Sequence, residues 1–294
     1  MNANFSLRFL ALLIVALNGA WAEDFEVSHS IDWMRADLNT KISFNLAEAD
    51  IRLPGGRFMG EEILSRAYPE LLRSTILPIR ADSDSTIYDL LDRREISMEE
   101  LDSLSLEAEK TPPSLSTDLT RMIGSYRMLM ESLSALLTLH RGAIEPARPL
   151  IPVPAADYTG IIIIADEELP IHGRRSQSYA EPCLFPKIWD TNMDLIYEKN
   201  MFNPSGPQAL IARYTVRDSI FRPTPSGLEG ELASFVGPNP LRILAREVFG
   251  VNPTDLVIDR DDAMKILSTD NNRRLLREGR LLLVLNEKML KSAF

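Results

Sequence analysis

The chain is poor in the residues that most often carry chemistry. It has one cysteine, Cys183, and three scattered histidines, His29, His140 and His172, in 294 residues. One cysteine permits no intramolecular disulfide, and this set offers no zinc-ligand spacing, so the sequence assigns no metal. No G-x-x-x-x-G-K-[ST] or G-x-G-x-x-G loop occurs, which leaves nucleotide cofactors without a cradle. No G-x-S-x-G elbow presents a nucleophilic serine. Aromatics are only 7% of the chain, too few for the girdles of a membrane barrel even with Phe294 at its end. The apolar run Ile161–Ala165 has five residues, against the roughly 20 that cross a bilayer. Basic side chains are outnumbered 32 to 42, a net charge of −10 that repels nucleic-acid phosphates and anionic lipid.

What is present starts at the N-terminus. Arg8 precedes the apolar stretch Phe9–Leu17, Asn18 and Gly19 break it, and Ala20-Trp21-Ala22 follows. This is the layout of a secretory signal peptide over residues 1–22, cleaved after Ala22, and it predicts a periplasmic protein. A 45% hydrophobic content marks the remainder as globular, and its length suits two domains.

The pattern predicts an α+β fold of two units, each a mixed sheet with packed helices. The first spans 23–141. Ile42, Phe44 and Leu46 share one face of a strand or hairpin over 31–46, and Pro54-Gly55-Gly56 is a turn. Helical spacing follows over 57–77, with Pro69 expected to kink or divide it. Ser85 and Thr86 cap a helix through Leu91, and Ser97 with Glu100 spells a capping box, its helix ended by Pro112-Pro113. The acidic residues between Asp89 and Glu109 read as a solvated helical face. A strand to Met130 and then a short helix are expected over 119–139. Residues 142–157, with prolines at 146, 149, 152 and 154, form a linker or an extended segment across both halves.

The second unit, 158–294, opens with a β-branched run to Ala165 that reads as a central strand buried on both faces. A strand at 184–189 turns at Asp190 into a hairpin through Glu198. A strand at 212–216, a loop over 217–237, a helix at 240–249, a strand at 256–258, a helix at 261–278 and a final strand at 281–285 complete a β-α-β-α-β tail.

Two places invite a chemical reading. Asp82-Ser83-Asp84-Ser85-Thr86-Ile87 spells D-x-D-x-T-I, as in haloacid-dehalogenase-type phosphatases, where the first carboxylate attacks phosphorus and the second is acid/base across Mg²⁺. Asp259 and Asp262 would supply the distal acidic pair. Against this metal-dependent phosphohydrolase, Pro78 and Arg80 interrupt the preceding strand, no lysine stands in a motif position, and the plainer reading is a polar loop capping a helix. His172, in Pro170-Ile171-His172-Gly173, could orient a ligand, though an exposed loop histidine is the simpler account. Neither gives a firm catalytic, metal or cofactor residue.

Three segments carry a resemblance: Tyr158–Ala165, Pro182–Asp190 and Gly279–Val284, with Asn252–Ile258 before the last. They resemble bacterial periplasmic proteins similar to the small outer-membrane lipoprotein family that includes flagellar basal-disk and collar components. The resemblance implies a non-enzymatic cell-envelope protein, structural or interaction-based, beside the flagellar apparatus or outer membrane. Its partners would be envelope proteins, further copies of the chain included, and no cofactor is implied. The leader lacks a lipid-bearing cysteine, and the matched positions explain fold. Gly160 would allow close backbone approach, Leu184 and Ile188 would face the core, and Asp190 would close the hairpin.

Overall fold

The computed structural model describes residues 25–138, 143–203, 210–221 and 230–293. Residues 1–22, where a signal peptide is expected, His140, Phe294 and part of the 217–237 stretch lie outside them. The first unit contains β1 (Glu26–Asp32), β2 (Asp37–Asn45), α1 (Arg57–Ile76), α2 (Ile87–Asp92), α3 (Met98–Leu106), β3 (Glu109–Leu115), β4 (Arg121–Leu129) and α4 (Met130–Leu137). The second contains β5 (Ile161–Ala165), β6 (Leu169–Pro170), β7 (Gln177–Ser178), β8 (Ile188–Asp190), β9 (Leu195–Tyr197), β10 (Arg213–Thr215), α5 (Arg217–Phe221) and α6 (Gly230–Val236). It continues through β11 (Leu241–Phe249), β12 (Asp255–Ile258), α7 (Arg260–Leu267), α8 (Asp270–Arg277), β13 (Leu281–Leu285), α9 (Glu287–Leu290) and β14 (Lys291–Ala293).

The fold is α+β. The first sheet, in the order β14-β1-β2-β4-β3, is antiparallel throughout. The second, β10-β13-β5-β11-β12-β8-β9, is mixed, with β10, β13, β5 and β11 parallel. β5 is central and buried on both sides, as its β-branched run predicts. Its odd-numbered isoleucines join the main core, while Ile162 and Ile164 join a smaller cluster with Ile220, Phe235 and Val236. The main core is continuous through both units, from Ile31 and Leu38 to Leu283 and Leu290. The last strand leaves the second unit and pairs with β1 on the first sheet, Ile31 opposite Ser292. β13 is therefore not the final strand.

Several elements differ from the pattern expected, each for a local reason. Residues 241–249 form a strand, not a helix. Leu241, Ile243 and Ala245 point inward, whereas Leu244, needed for a helical face, is 58% exposed. A register shift between Ala245 and Glu247 changes parity and brings Val248 inside too, which mimics helical spacing in the sequence. The 261–278 helix is two helices. Thr269 caps the second by accepting from Asn272 N, and Asn272 Nδ2 donates to the Lys265 carbonyl at the end of the first. Pro112 and Pro113 do not end α3, which stops at Leu106. They lie in β3, an edge strand, and the ladder with β4 shifts register across them, between Thr111 and Ser114. Pro69 does not divide α1, which runs unbroken with Leu64, Tyr68, Leu72 and Ile76 buried along one face. The 217–237 loop contains α5 and α6 in its described parts. The strand expected at 184–189 is confined to Ile188–Asp190.

The expected Ser97–Glu100 capping box forms, and Thr86 caps α2 in a second box with Asp89 that the sequence reading did not name. Those carboxylates and Asp102, which makes a bidentate pair with Arg73 at 2.6 and 2.8 Å, show the acidic stretch to be partly structural. Gly160 allows close approach as expected: an added Cβ would sit 2.6 Å from the Val236 carbonyl oxygen. Leu184 and Ile188 are buried, and Asp190 Oδ1 closes its turn by accepting from Asn192 N and Asp194 N at 2.9 Å.

The edge position of Pro112 and Pro113 predicts a defect when they are removed. A Pro112→Thr, Pro113→Val chain should gain a pairing-competent edge and self-associate, seen in analytical ultracentrifugation as oligomers absent from the parent.

Candidate functional site

The D-x-D segment lies where the two units lock together. It is the loop from Pro78 to Thr86, between α1 and α2. Asp and Ser favour such a turn because their side chains replace backbone acceptors and donors. Asp82 Oδ1 accepts from Asp84 N and Ser85 N at 2.9 Å and from Ser85 Oγ at 2.7 Å. The backbone on either side pairs with the second unit: Leu184 N donates to Arg80 O, and Phe185 N to Ala81 O at 2.8 Å. Arg80 also forms an ion pair with Glu181.

Ser83, between the two aspartates, is buried and turns inward. Its Oγ donates to Asp255 Oδ2 at 3.0 Å. Asp255 is fully buried at the start of β12, and it also accepts from Trp189 Nε1 at 3.1 Å, Lys187 N and Thr254 Oγ1. Burial pushes its carboxyl above the ordinary carboxylate range, against the pull of Trp189, Lys187 and Ser83. Ser83 O accepts from Asn252 N at 3.0 Å. Gly250 passes so close, at φ +111°, that an added Cβ would lie 2.4 Å from Ser83 Cβ.

Lys187 Nζ stands 3.8 Å from Asp84 and 4.0 Å from Asp82. This lysine, 103 positions from Asp84, has no sequence signal linking it to the loop. It lies within ion-pair range of both carboxylates. The distal pair does not join them: Asp259 is held by Arg246 at 2.5 Å and Asp262 by Lys265 at 2.7 Å. Among the described residues no group of three or more His, Cys, Asp or Glu is placed to hold a metal ion.

His172 sits beside β11. Its backbone N donates to Val248 O, its Nδ1 lies 2.6 Å from Glu247 Oε2, and its ring meets Phe249 edge-on. Phe249 in turn meets Trp189 edge-on, so the imidazole fastens the β6–β7 hairpin onto the sheet. His29 faces the interior of the first sheet, with Nδ1 3.1 Å from Thr40 Oγ1, and burial lowers its pKa. Cys183 is buried, and the Tyr214 hydroxyl both accepts from its N and donates to its O. Burial pushes the Cys183 thiol well up, leaving it a small core residue. The chemistry-bearing residues of this region thus serve as fasteners between and within the units.

Residues 24–136 match the family model for the N-terminal domain of Treponema pallidum Tp0624, and residues 160–287 match that for its second domain. The two matches follow in the same order along the chain. Neither is to the lipoprotein or flagellar-disk family expected from segments of the second half. No curated protein matches the chain.

Two measurements check the structural reading. Asp255→Ala strands the donors of Ser83, Trp189 and Lys187 and should lower the unfolding free energy in urea by about 3–5 kcal/mol, while exposed Asp84→Ala should cost less than about 1 kcal/mol. His29, with its folded pKa below 6.5, binds its proton more readily when the chain is unfolded. Stability should therefore be full above that value and fall as the pH drops below it, and His29→Gln should flatten this part of the profile.

Proposed function

We propose that a chain with two Tp0624-like domains in succession acts as a non-catalytic interaction protein of the cell envelope, exported by its leader and cleaved after Ala22. The leader-like sequence and the acidic net charge support the address. The use of Asp82, Asp255, Asp259, Asp262 and His172 as fasteners supports a role without turnover.

The observation that carries the reading is the proline-rich segment. It is not a free tether but a strap laid along the second unit. Ile144 N donates to Asn200 O, Glu145 pairs with Arg277 at 2.9 Å, and Arg148 pairs with Asp270 at 2.7 Å. Val153 N donates to Ser268 Oγ, and Asn272 Nδ2 donates to Ala156 O. Between these anchors Leu150 and Ile151 are 101% and 82% exposed. Prolines on both sides limit the conformational freedom of the crest, so little is lost when a partner binds it. Two aliphatic side chains held in water on a stiff support suit an apolar, aromatic-lined groove on another envelope protein. Burying each would contribute about 1.5–3 kcal/mol.

The sheet edges favour the strap over strand addition. β3 is blunted by its prolines, while β9, β10 and β14 have three residues each. The partner proposed is one near the outer membrane or flagellar apparatus.

Photo-crosslinking from position 151 in intact cells tests the reading. An envelope protein, or a second copy of the chain, should be captured, and Leu150→Asp with Ile151→Asp should weaken the purified pair by at least about 100-fold. A chain that retains Met1, or one that crosslinks to nothing from this position, would overturn it.

A further inference from the structure

A cavity of about 640 Å³ opens at the seam where the returning C-terminus meets the first unit. Its size falls within the roughly 300–1,000 Å³ of small-molecule sites. One wall is the inner face of β1, with His29, Ile31 and Trp33 at alternate positions. Thr75 near the end of α1 and Ile79 beyond it form a second wall, and Pro182 and Met289 come from the other unit and α9. The interior is thus largely apolar.

Two features point to an occupant. Thr75 is 5% exposed and its Oγ1 has no hydrogen-bond partner. A buried hydroxyl with no partner costs about 1–3 kcal/mol, which a ligand acceptor or donor would relieve. The second feature is charge. Around this cavity stand three basic side chains, Arg80, Lys288 and Lys291, against one acidic residue, Glu181, in a protein of net charge −10. Arg80 is bound to Glu181, and Lys291 lies 3.7 Å from Glu287. Lys288 has no ion pair among the described residues. The local sign is therefore opposite to that of the whole chain.

We infer that this seam cavity binds an amphipathic anion, its apolar body against Ile31, Trp33 and Met289 and its anionic head toward Lys288 and Lys291. The inference is independent of the strap, which is built from other residues. Binding closes the ligand between β1, β14 and α9, so it tightens the grip of the C-terminus on the first sheet.

Isothermal titration calorimetry of the purified protein with decanoate and with decanol tests it. Decanoate should bind saturably at one site per chain, with decanol and the Lys288→Ala, Lys291→Ala chain each at least tenfold weaker. Ser74→Trp places an indole at the exposed rim of the cavity and should abolish binding. Ser74→Ala, which leaves the opening clear, should bind as the parent does and separates occlusion from misfolding. Equal affinity for decanoate and decanol, no saturable binding, or full binding in a folded Ser74→Trp chain would each overturn the assignment.

Discussion

The fully buried carboxylate of Asp255 is the constraint on which the arrangement of the two units depends. A charge-capable group without solvent must be surrounded by donors, and it draws them from both sides of the seam: Ser83 from the first unit, Trp189, Lys187 and Thr254 from the second. Losing one donor leaves the group worse off, so the loop carrying Ser83 has one acceptable seat. Gly250 is glycine because that seat leaves no room for a Cβ. The apolar core spreads across the same boundary, which makes the two sequence units one packed body.

This gives the phosphatase-like spelling a structural account. The D-x-D spelling satisfies the geometry of a tight loop: the first aspartate closes the turn, the intervening serine reaches into the seam, and Thr86 caps α2. Lys187 balances the two carboxylates on the outside. The same residue types that would bind magnesium and phosphate elsewhere here hold two folding units in register.

Much of the architecture was legible in the sequence. The caps at Thr86 and Ser97, the β1–β2 hairpin, the buried strand of isoleucines and the strand-to-helix change at Met130 all arise from local rules, and the chain obeys them. What was not legible was nonlocal. The bulge after Ala245 turned an alternating strand into an apparent helix, and β3 tolerated two prolines because its outer side has no neighbour. Asn272 reached both Lys265 O and Ala156 O, dividing one expected helix and fastening the strap with one side chain. The partnership of Lys187 with Asp84 and of Ser83 with Asp255 depends on the chain returning after a hundred residues or more, and no spacing rule records it.

The return of the last strand to β1 has a consequence for how the protein folds. β1 pairs along its length with β2, its close neighbour in sequence, but the outer edge at Ser30–Asp32 waits for Lys291–Ala293, about 260 residues further along. The five-stranded sheet acquires its outer border only when the chain has returned from the second unit. Until that pairing forms, the outer edge of β1 is open to another strand.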